Sequence, residues 1–216
     1  MSRGDDLAAL ADSLQRELDA AHAARETALA ACRRTIRFCG SSIRAVHRLD
    51  PTRAAQLADE AAAALREAQD ALRPFPALAA TGPLHDAEKE YAEARLTAAL
   101  VSGSPLPRFD ALEVGIAPWL GGLSEAATEL RRHILDRLRE GDLDRADALV
   151  AAMDEVYGLL VSMDYPDALT GGLRRHVDAL RAVLERTRGD LTTTVLQARL
   201  QAAIEGRLGQ DGTGVG

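Results

Sequence analysis

An unbroken pattern of apolar side chains over the first fifty residues is the strongest constraint on the fold. From about Asp5 to His47, with no proline, apolar residues recur at spacings of three, four or seven: Leu7, Leu10, Leu14, Leu18, Ala21, Ala28, Cys32, Ile36, Cys39, Ile43 and Val46. This periodicity predicts one α-helix of about 40 residues, roughly 60 Å long. A compact bundle of 216 residues cannot cover such a stripe along its whole length, so we expect the chain to oligomerise.

Proline, glycine and aspartate residues divide the rest of the chain into further helices. Asp50 and Pro51 predict the N-cap and first position of a second helix, which Pro74 and Pro76 end. Later helices are predicted from about residues 83, 118, 142, 173 and 191, the last one ending near Leu208. We therefore predict an all-α fold with a single domain of about seven helices over residues 1–208, and a disordered tail over 209–216.

Composition excludes several classes of protein. The formal charge of −7 argues against a nucleic-acid binder that is basic all over, although it permits a local basic face. The N-terminus is acidic rather than basic and no window of eighteen apolar residues occurs, so we expect a cytoplasmic protein without a membrane span. Cys32 and Cys39 lie seven apart on one helix face, where they cannot bridge to each other and are expected to be buried.

Two carboxylates on the third helix point to a metal. Glu90 and Glu93 are three residues apart, so on a helix they face the same way, and Asp86 lies on the same stripe. Like charges at this spacing repel, and a hard divalent cation would remove that repulsion. The alternative is that these are ordinary solvated residues of a helix, because glutamate is a common helix former.

A second pair of carboxylates, Glu125 and Glu129, lies four residues apart on the fourth predicted helix. If this helix packs against the third, four carboxylates converge. The alternative is that Glu129 pairs with Arg132 or His133 on a solvated face. A di-iron bundle would need Glu-x-x-His motifs, and none occurs; zinc-hydrolase motifs, phosphate-binding glycine loops and nucleophile elbows are also absent.

A basic stripe lies near the end of the first helix. Between residues 31 and 50 the chain has five arginines and one aspartate, and the helical repeat aligns Arg33, Arg37, Arg44 and Arg48, with Arg34 and His47 at its flanks. A stripe of this kind fits a phosphate backbone. Salt bridges on a solvated helix face are the alternative.

In order along the chain, these features resemble the translin family. The matching stretches are SSIRAVHRLD, EKEYAEA, WLGGLSEAATELRR, REGDLDRADALVAAMDEVYGLL and LRRHVDALRAVLERTRG, which span about residues 30–190. The resemblance is closer to the catalytic branch, translin-associated factor X. It implies about seven helices, a hollow octamer-like shell, and RNA or single-stranded DNA bound within it; we expect a homo-oligomer, and whether a second translin-like subunit co-assembles stays open.

The resemblance also implies an activity. In the catalytic branch helical acids bind Mg²⁺, with Mn²⁺ as the alternative ion, and cleave RNA phosphodiesters. Carried over to this sequence, the catalytic and metal-binding acids are Glu90, Glu93 and Glu125, with Glu129 and Asp86 as further candidate metal ligands. The candidate nucleic-acid contacts are those of the basic stripe: Arg33, Arg37, Arg44, His47 and Arg48. Two positions depart from the family pattern: Glu125 replaces an aspartate, and Ala87 replaces an additional glutamate.

The sequence therefore leaves three candidate functions. The first is a Mg²⁺-dependent endoribonuclease acting on single-stranded RNA or DNA enclosed in an oligomeric shell. The second is a shell that binds RNA or single-stranded DNA without cleaving it, and the third is a helical scaffold with no affinity for nucleic acid.

Overall fold

A computed structural model describes residues 3–80 and 82–211, and these residues form eight helices and no strand. The helices are α1 Arg3–His47, α2 Pro51–Leu72, α3 Pro76–Ala79, α4 Gly82–Ser102, α5 Ile116–Glu140, α6 Leu143–Val161, α7 Asp167–Thr170 and α8 Leu173–Asp211. The all-α prediction with a very long first helix is confirmed. The extra elements are the single turns α3 and α7, which are too short to show a helical period.

Capping residues explain the sharp helix starts. The side chain of Asp50 accepts a hydrogen bond of 2.9 Å from the Arg53 amide, and Pro51 occupies the first position of α2. Gly141 ends α5 with a left-handed φ of 78°, a conformation that glycine adopts without strain. Asp142 then caps α6 by accepting a bond of 3.1 Å from the Arg145 amide.

The C-terminal helix differs from the prediction. We expected one helix from about Leu173 and another from about Leu191, but α8 is continuous from Leu173 to Asp211. The hydroxyls of Thr192, Thr193 and Thr194 donate to carbonyls four residues earlier, at 2.8–2.9 Å, so these threonines are accommodated within the helix. Of the tail predicted over 209–216, residues 209–211 belong to α8 and residues 212–216 lie outside the described residues.

All six long helices contribute to one buried apolar cluster. Helix α4 lies at its centre, packed against α1, α2 and α5, while α5 also packs against α6 and α8. Cys32 and Cys39 are both buried and unbridged, as predicted. Within the described residues, no helix combines the length and apolar character needed to cross a bilayer.

The two longest helices carry apolar side chains that the bundle does not cover. Leu7, Leu10, Leu14 and Leu18 are 54–66% exposed on the first half of α1. On the last part of α8, Leu196, Leu200 and Ile204 are 51–63% exposed. These two stripes therefore lack a partner among the described residues of this chain.

Helices α4 and α5 lie in close contact at Gly122. A Cβ atom added there would lie 2.7 Å from the Lys89 carbonyl oxygen and 2.8 Å from both the Ala92 Cβ and the Glu93 amide nitrogen. Two of these atoms belong to the backbone of α4, which cannot turn aside as a side chain can. Only glycine therefore permits this crossing.

We expect Gly122→Ala to lower the free energy of unfolding by about 1–3 kcal/mol, because the added methyl group forces the two helices apart. The measurement is urea denaturation followed by circular dichroism at fixed protein concentration. Gly158→Ala is the control, because Gly158 lies in α6 with nothing within 4 Å of an added Cβ. That substitution should stabilise the protein by about 0.5–1 kcal/mol. Similar results for the two variants would contradict the proposed role of the crossing.

Candidate metal centre

Three carboxylates from two helices meet beside the α4–α5 crossing. Glu90 and Glu93 face the same way from α4, and Glu125 lies one turn after Gly122 on α5. Each residue offers one oxygen, and these three oxygens all lie within 4.8 Å of one another. The sequence-based expectation that the two helices bring their acids together therefore holds for these three residues.

Glu93 is the most deeply buried of the three. The residue is 8% exposed, and among the described residues its carboxylate makes no hydrogen bond or ion pair. Burial, followed by the charges of Glu125, Glu90 and Glu129, raises the pKa of Glu93 from 4.5 to about 8. A buried carboxylate surrounded by acids is held in its charged form only when a nearby cation compensates.

The donor set fits a hard divalent cation. Mg²⁺ and Mn²⁺ bind carboxylate oxygens, and Mg²⁺ is usually held by one or two carboxylates together with water or substrate phosphate. Three convergent carboxylates on rigid helices meet that requirement. The absence of sulfur and of imidazole nitrogen from this trio makes zinc a poorer match.

A lysine ammonium also reaches the cluster. Lys89 Nζ lies 3.3 Å from Glu90 Oε1 and forms a closer ion pair with Glu125 Oε2. Burial alone would lower the pKa of Lys89, but the hydrogen bond and charge of Glu125, together with Glu90, raise it above its ordinary value. Lys89 therefore carries a full positive charge between the two helices.

Glu129 lies next to this trio and contacts His47, which in turn contacts His133. His47 Nε2 is 2.6 Å from Glu129 Oε2, and His47 Nδ1 is 3.1 Å from His133 Nε2. The hydrogen bond with His47 lowers the pKa of Glu129. Burial, followed by the charge of His47, lowers the pKa of His133 from 6.5 to about 4, so His133 is neutral near pH 7.

The remaining residues predicted for the site lie on α4, before the trio, and in the basic stripe of α1. Asp86 is exposed one turn before Glu90 and is not among the three clustered acids, while Ala87 is fully buried in the core. The stripe residues Arg33, Arg37, Arg44 and Arg48 are exposed and form no ion pair with other described residues, whereas Arg34 pairs with Glu67. The side chain of His47 is only 5% exposed, so both ring nitrogens face protein groups rather than solvent.

A cavity of about 570 Å³ opens over the carboxylates. It is lined by Glu93, Ser124, Glu125, Thr128, Glu129, Arg175, His176 and Ala179. The wall opposite the acids is the start of α8, where His176 Nδ1 lies 3.6 Å from Glu125 Oε1 and the His176 carbonyl accepts a bond of 3.0 Å from Ser124 Oγ. Sequence reasoning missed Arg175 and His176, because no spacing rule relates the start of α8 to α5.

The raised pKa of Glu93 predicts how stability depends on pH. The unfolded chain releases this proton near pH 4.5 and the folded chain holds it to about pH 8, so stability falls as pH rises through that interval. His133 acts in the opposite direction, but only between about pH 4 and 6.5. In metal-free buffer we expect Glu93→Gln to exceed the wild type in stability at pH 8 by on the order of 2 kcal/mol.

The measurement is urea denaturation at several pH values from 6.5 to 8, and the advantage of Glu93→Gln should shrink toward pH 6.5. Glu60→Gln, at an exposed position of α2, is the control for removing one carboxylate. An equal effect of the two substitutions at pH 8 would contradict the burial of a destabilising charge at Glu93.

Comparison with known proteins places the fold. No protein-family model matches the chain. The crystal structure of AfC3PO has a TM-score of 0.80 and 32% sequence identity, covering 88% of this chain and 98% of AfC3PO. A complex of AfC3PO with duplex RNA gives a TM-score of 0.79 and 31% identity, covering 88% of this chain and 97% of the AfC3PO chain. Apo-NeC3PO shares the fold at a TM-score of 0.77 and 18% identity, covering 85% of this chain and 96% of the NeC3PO chain.

A relative by sequence is the uncharacterized protein MJ0175 of Methanocaldococcus jannaschii. It is 27% identical over 186 residues, which cover 84% of this chain and 81% of the relative. The stronger similarity to AfC3PO extends over nearly the whole of that protein and agrees with the motifs found in the sequence. The chain therefore belongs to the C3PO/translin family.

Proposed function

We propose that the protein is a Mg²⁺-dependent endoribonuclease acting on single-stranded RNA, or on RNA and single-stranded DNA. The observation that carries the proposal is the convergence of Glu90, Glu93 and Glu125, of which Glu93 and Glu125 line an open cavity. AfC3PO forms a complex with duplex RNA, and the shared fold supports RNA as the partner of this chain. Because that partner is a duplex, assays should include both single-stranded and duplex RNA.

In metal-assisted hydrolysis the clustered acids and the residues that line the cavity would have different roles. Glu90, Glu93 and Glu125 would hold the cation, and Glu93 must be ionised to do so. Bound Mg²⁺ would lower the pKa of a coordinated water and neutralise charge that develops on the phosphate. Arg175 and His176 line the same cavity, where they are placed to orient phosphate oxygens.

The basic stripe would bind the RNA backbone outside the cavity. Arg44 and Arg48 are exposed and form no ion pair with other described residues, and they flank His47, which joins the end of α1 to Glu129 at the cavity wall. Arginine binds phosphate through several N–H groups at once. Such contacts position the backbone without reading its sequence, so we expect low sequence specificity.

We also propose that the subunits form a homo-oligomer, an octamer-like shell as in the family. Support comes from the uncovered leucines of α1 and the uncovered Leu196, Leu200 and Ile204 of α8. Apolar stripes of this length are normally buried against another helix. A second copy of the chain offers the same stripes and so a matching surface.

Glu90→Gln should reduce Mg²⁺-dependent RNA cleavage by about 100-fold or more, because changes to outer-shell partners of a metal already cost 10–100-fold. RNA binding and assembly should be unchanged, since Glu90 contributes to neither the basic stripe nor the exposed apolar stripes. The measurement is gel-resolved cleavage of labelled RNA with Mg²⁺ or with EDTA, alongside an RNA-binding assay. The control is Glu60→Gln, and equal cleavage by Glu90→Gln and wild type would refute the nuclease assignment.

A non-catalytic RNA-binding shell is the second candidate function. The observation that favours it is the contact of Lys89 with Glu90 and Glu125, because an internal cation can compensate the acids without metal. RNA binding that is equal with Mg²⁺ and EDTA, without cleavage in either, would establish this function in place of the nuclease.

Replacing Arg44 and Arg48 together by glutamine should weaken RNA binding and its salt dependence. Removal of one phosphate-binding charge from a complex with a single strand reduces the slope of log K against log salt concentration by about 0.7, so the pair should reduce it by about 1.4. Fluorescence anisotropy with labelled RNA across a salt series measures both quantities.

The matched control replaces Arg181 and Arg188 by glutamine, since these α8 residues already pair with Glu185 and Asp154. It removes the same charge from another surface. If the two double variants reduce the slope equally, the stripe on α1 is not the RNA-binding surface.

A further inference from the structure

The only lysine of the chain is placed at the acidic cluster. Of the 26 lysine and arginine residues, Lys89 alone is lysine. Its ammonium contacts Glu90 on α4 and Glu125 on α5, and its side chain is only 16% exposed. Most lysines direct the ammonium into water, so this placement calls for a structural cause.

The cause lies in the diglycine of α5. A Cβ atom added at Gly121 would lie 3.3 Å from both Cγ and Cδ of Lys89. The absence of a side chain at Gly121 therefore makes room for the lysine stem to cross α5 and bring Nζ to Glu125. The missing side chain at Gly122 leaves space for the backbone of α4, and the missing side chain at Gly121 leaves space for the side chain of Lys89.

The chemistry of lysine suits this position. Its ammonium is a compact point charge with three donors, whereas the planar guanidinium of arginine is larger and directional. The ammonium of Lys89 thus presents Glu90 and Glu125 with a positive charge nearly as compact as that of a small cation. Glu93 is left without a hydrogen-bonding partner among the described residues, so the ammonium compensates the trio only in part.

We propose that Lys89 is an exchangeable internal counter-ion, which holds the carboxylate cluster together in the cation-free protein and leaves it when a divalent cation binds. The inference rests on the metal site of the proposed function. Lys89 occupies two of the three carboxylates that a cation needs, and two positive centres within one small cluster repel each other. Lys89 is therefore a positioning residue that lowers the affinity of the site for a divalent cation.

The first test follows the reactivity of the lysine itself. An acetylating N-hydroxysuccinimide ester modifies the free amine, and peptide mass spectrometry reports the rate at Lys89. We expect Mg²⁺ or Mn²⁺ to accelerate this modification severalfold, because release from Glu90 and Glu125 frees the amine from its two ion pairs and exposes it to the reagent. NaCl at the same ionic strength is the control and should not reproduce the acceleration.

The second test measures the affinity for Mn²⁺ by isothermal titration calorimetry. Lys89→Met retains an unbranched apolar stem and removes the competing charge, so it should bind Mn²⁺ at least severalfold more tightly than the wild type. Arg188→Gln makes the same change in net charge at the distant pair with Asp154 and should leave the affinity unchanged. Lys89→Gln replaces Lys89→Met if circular dichroism shows that the methionine variant is not folded.

The outcomes separate this inference from the proposed function. Binding of Mn²⁺ without faster modification of Lys89, or with equal affinity in the wild type and Lys89→Met, would overturn the exchange and leave the metal site intact. Failure of both proteins to bind Mn²⁺ would instead remove the metal site itself. Faster modification together with tighter binding by Lys89→Met would support the exchange.

Discussion

The close crossing of α4 and α5 at Gly122 is the contact on which the candidate site depends. With 2.7 Å between an added Cβ and the Lys89 carbonyl oxygen, any side chain at this position would separate the helices. Glu93 lies at the contact on α4 and Glu125 lies one turn after it on α5, so the same approach that packs the core also brings their carboxylates together. The acidic cluster is thus a consequence of helix packing.

Bringing these acids together is unfavourable, and the surrounding residues reduce the penalty unequally. Glu129 is compensated by His47, whose other nitrogen is fixed by a neutral His133. Glu90 and Glu125 share the ammonium of Lys89. Glu93 has neither kind of partner, and its burial, together with the charges of the neighbouring acids, raises its pKa to about 8. A cation bound at the cluster would compensate the ionised form of Glu93, which no hydrogen bond or ion pair among the described residues does.

The sequence predicted what depends on local spacing and missed what depends on how helices are rotated. Capping at Asp50 and Asp142 and the shared face of Glu90 and Glu93 all follow from the helical repeat. The break expected before Leu191 was wrong, because threonine hydroxyls can bond within a helix as well as end it. The contact of Lys89 with Glu125 and the burial of the His47 ring arise between distant helices, and no periodicity in the chain encodes them.

Two features, Ala87 and Lys89, make the cluster less negative than a purely acidic one would be. Ala87 is fully buried in the core, so the position where the family pattern has a further glutamate contributes packing rather than charge. Lys89 then adds a positive charge two residues later, on the helix that supplies two of the three clustered acids. Both features make the cluster less negative than four carboxylates would be, and the affinity for a hard cation decreases when charged ligands are fewer. Cation binding in this chain is therefore expected to depend on how readily Lys89 leaves its two carboxylates, a contact that the missing side chain at Gly121 makes room for.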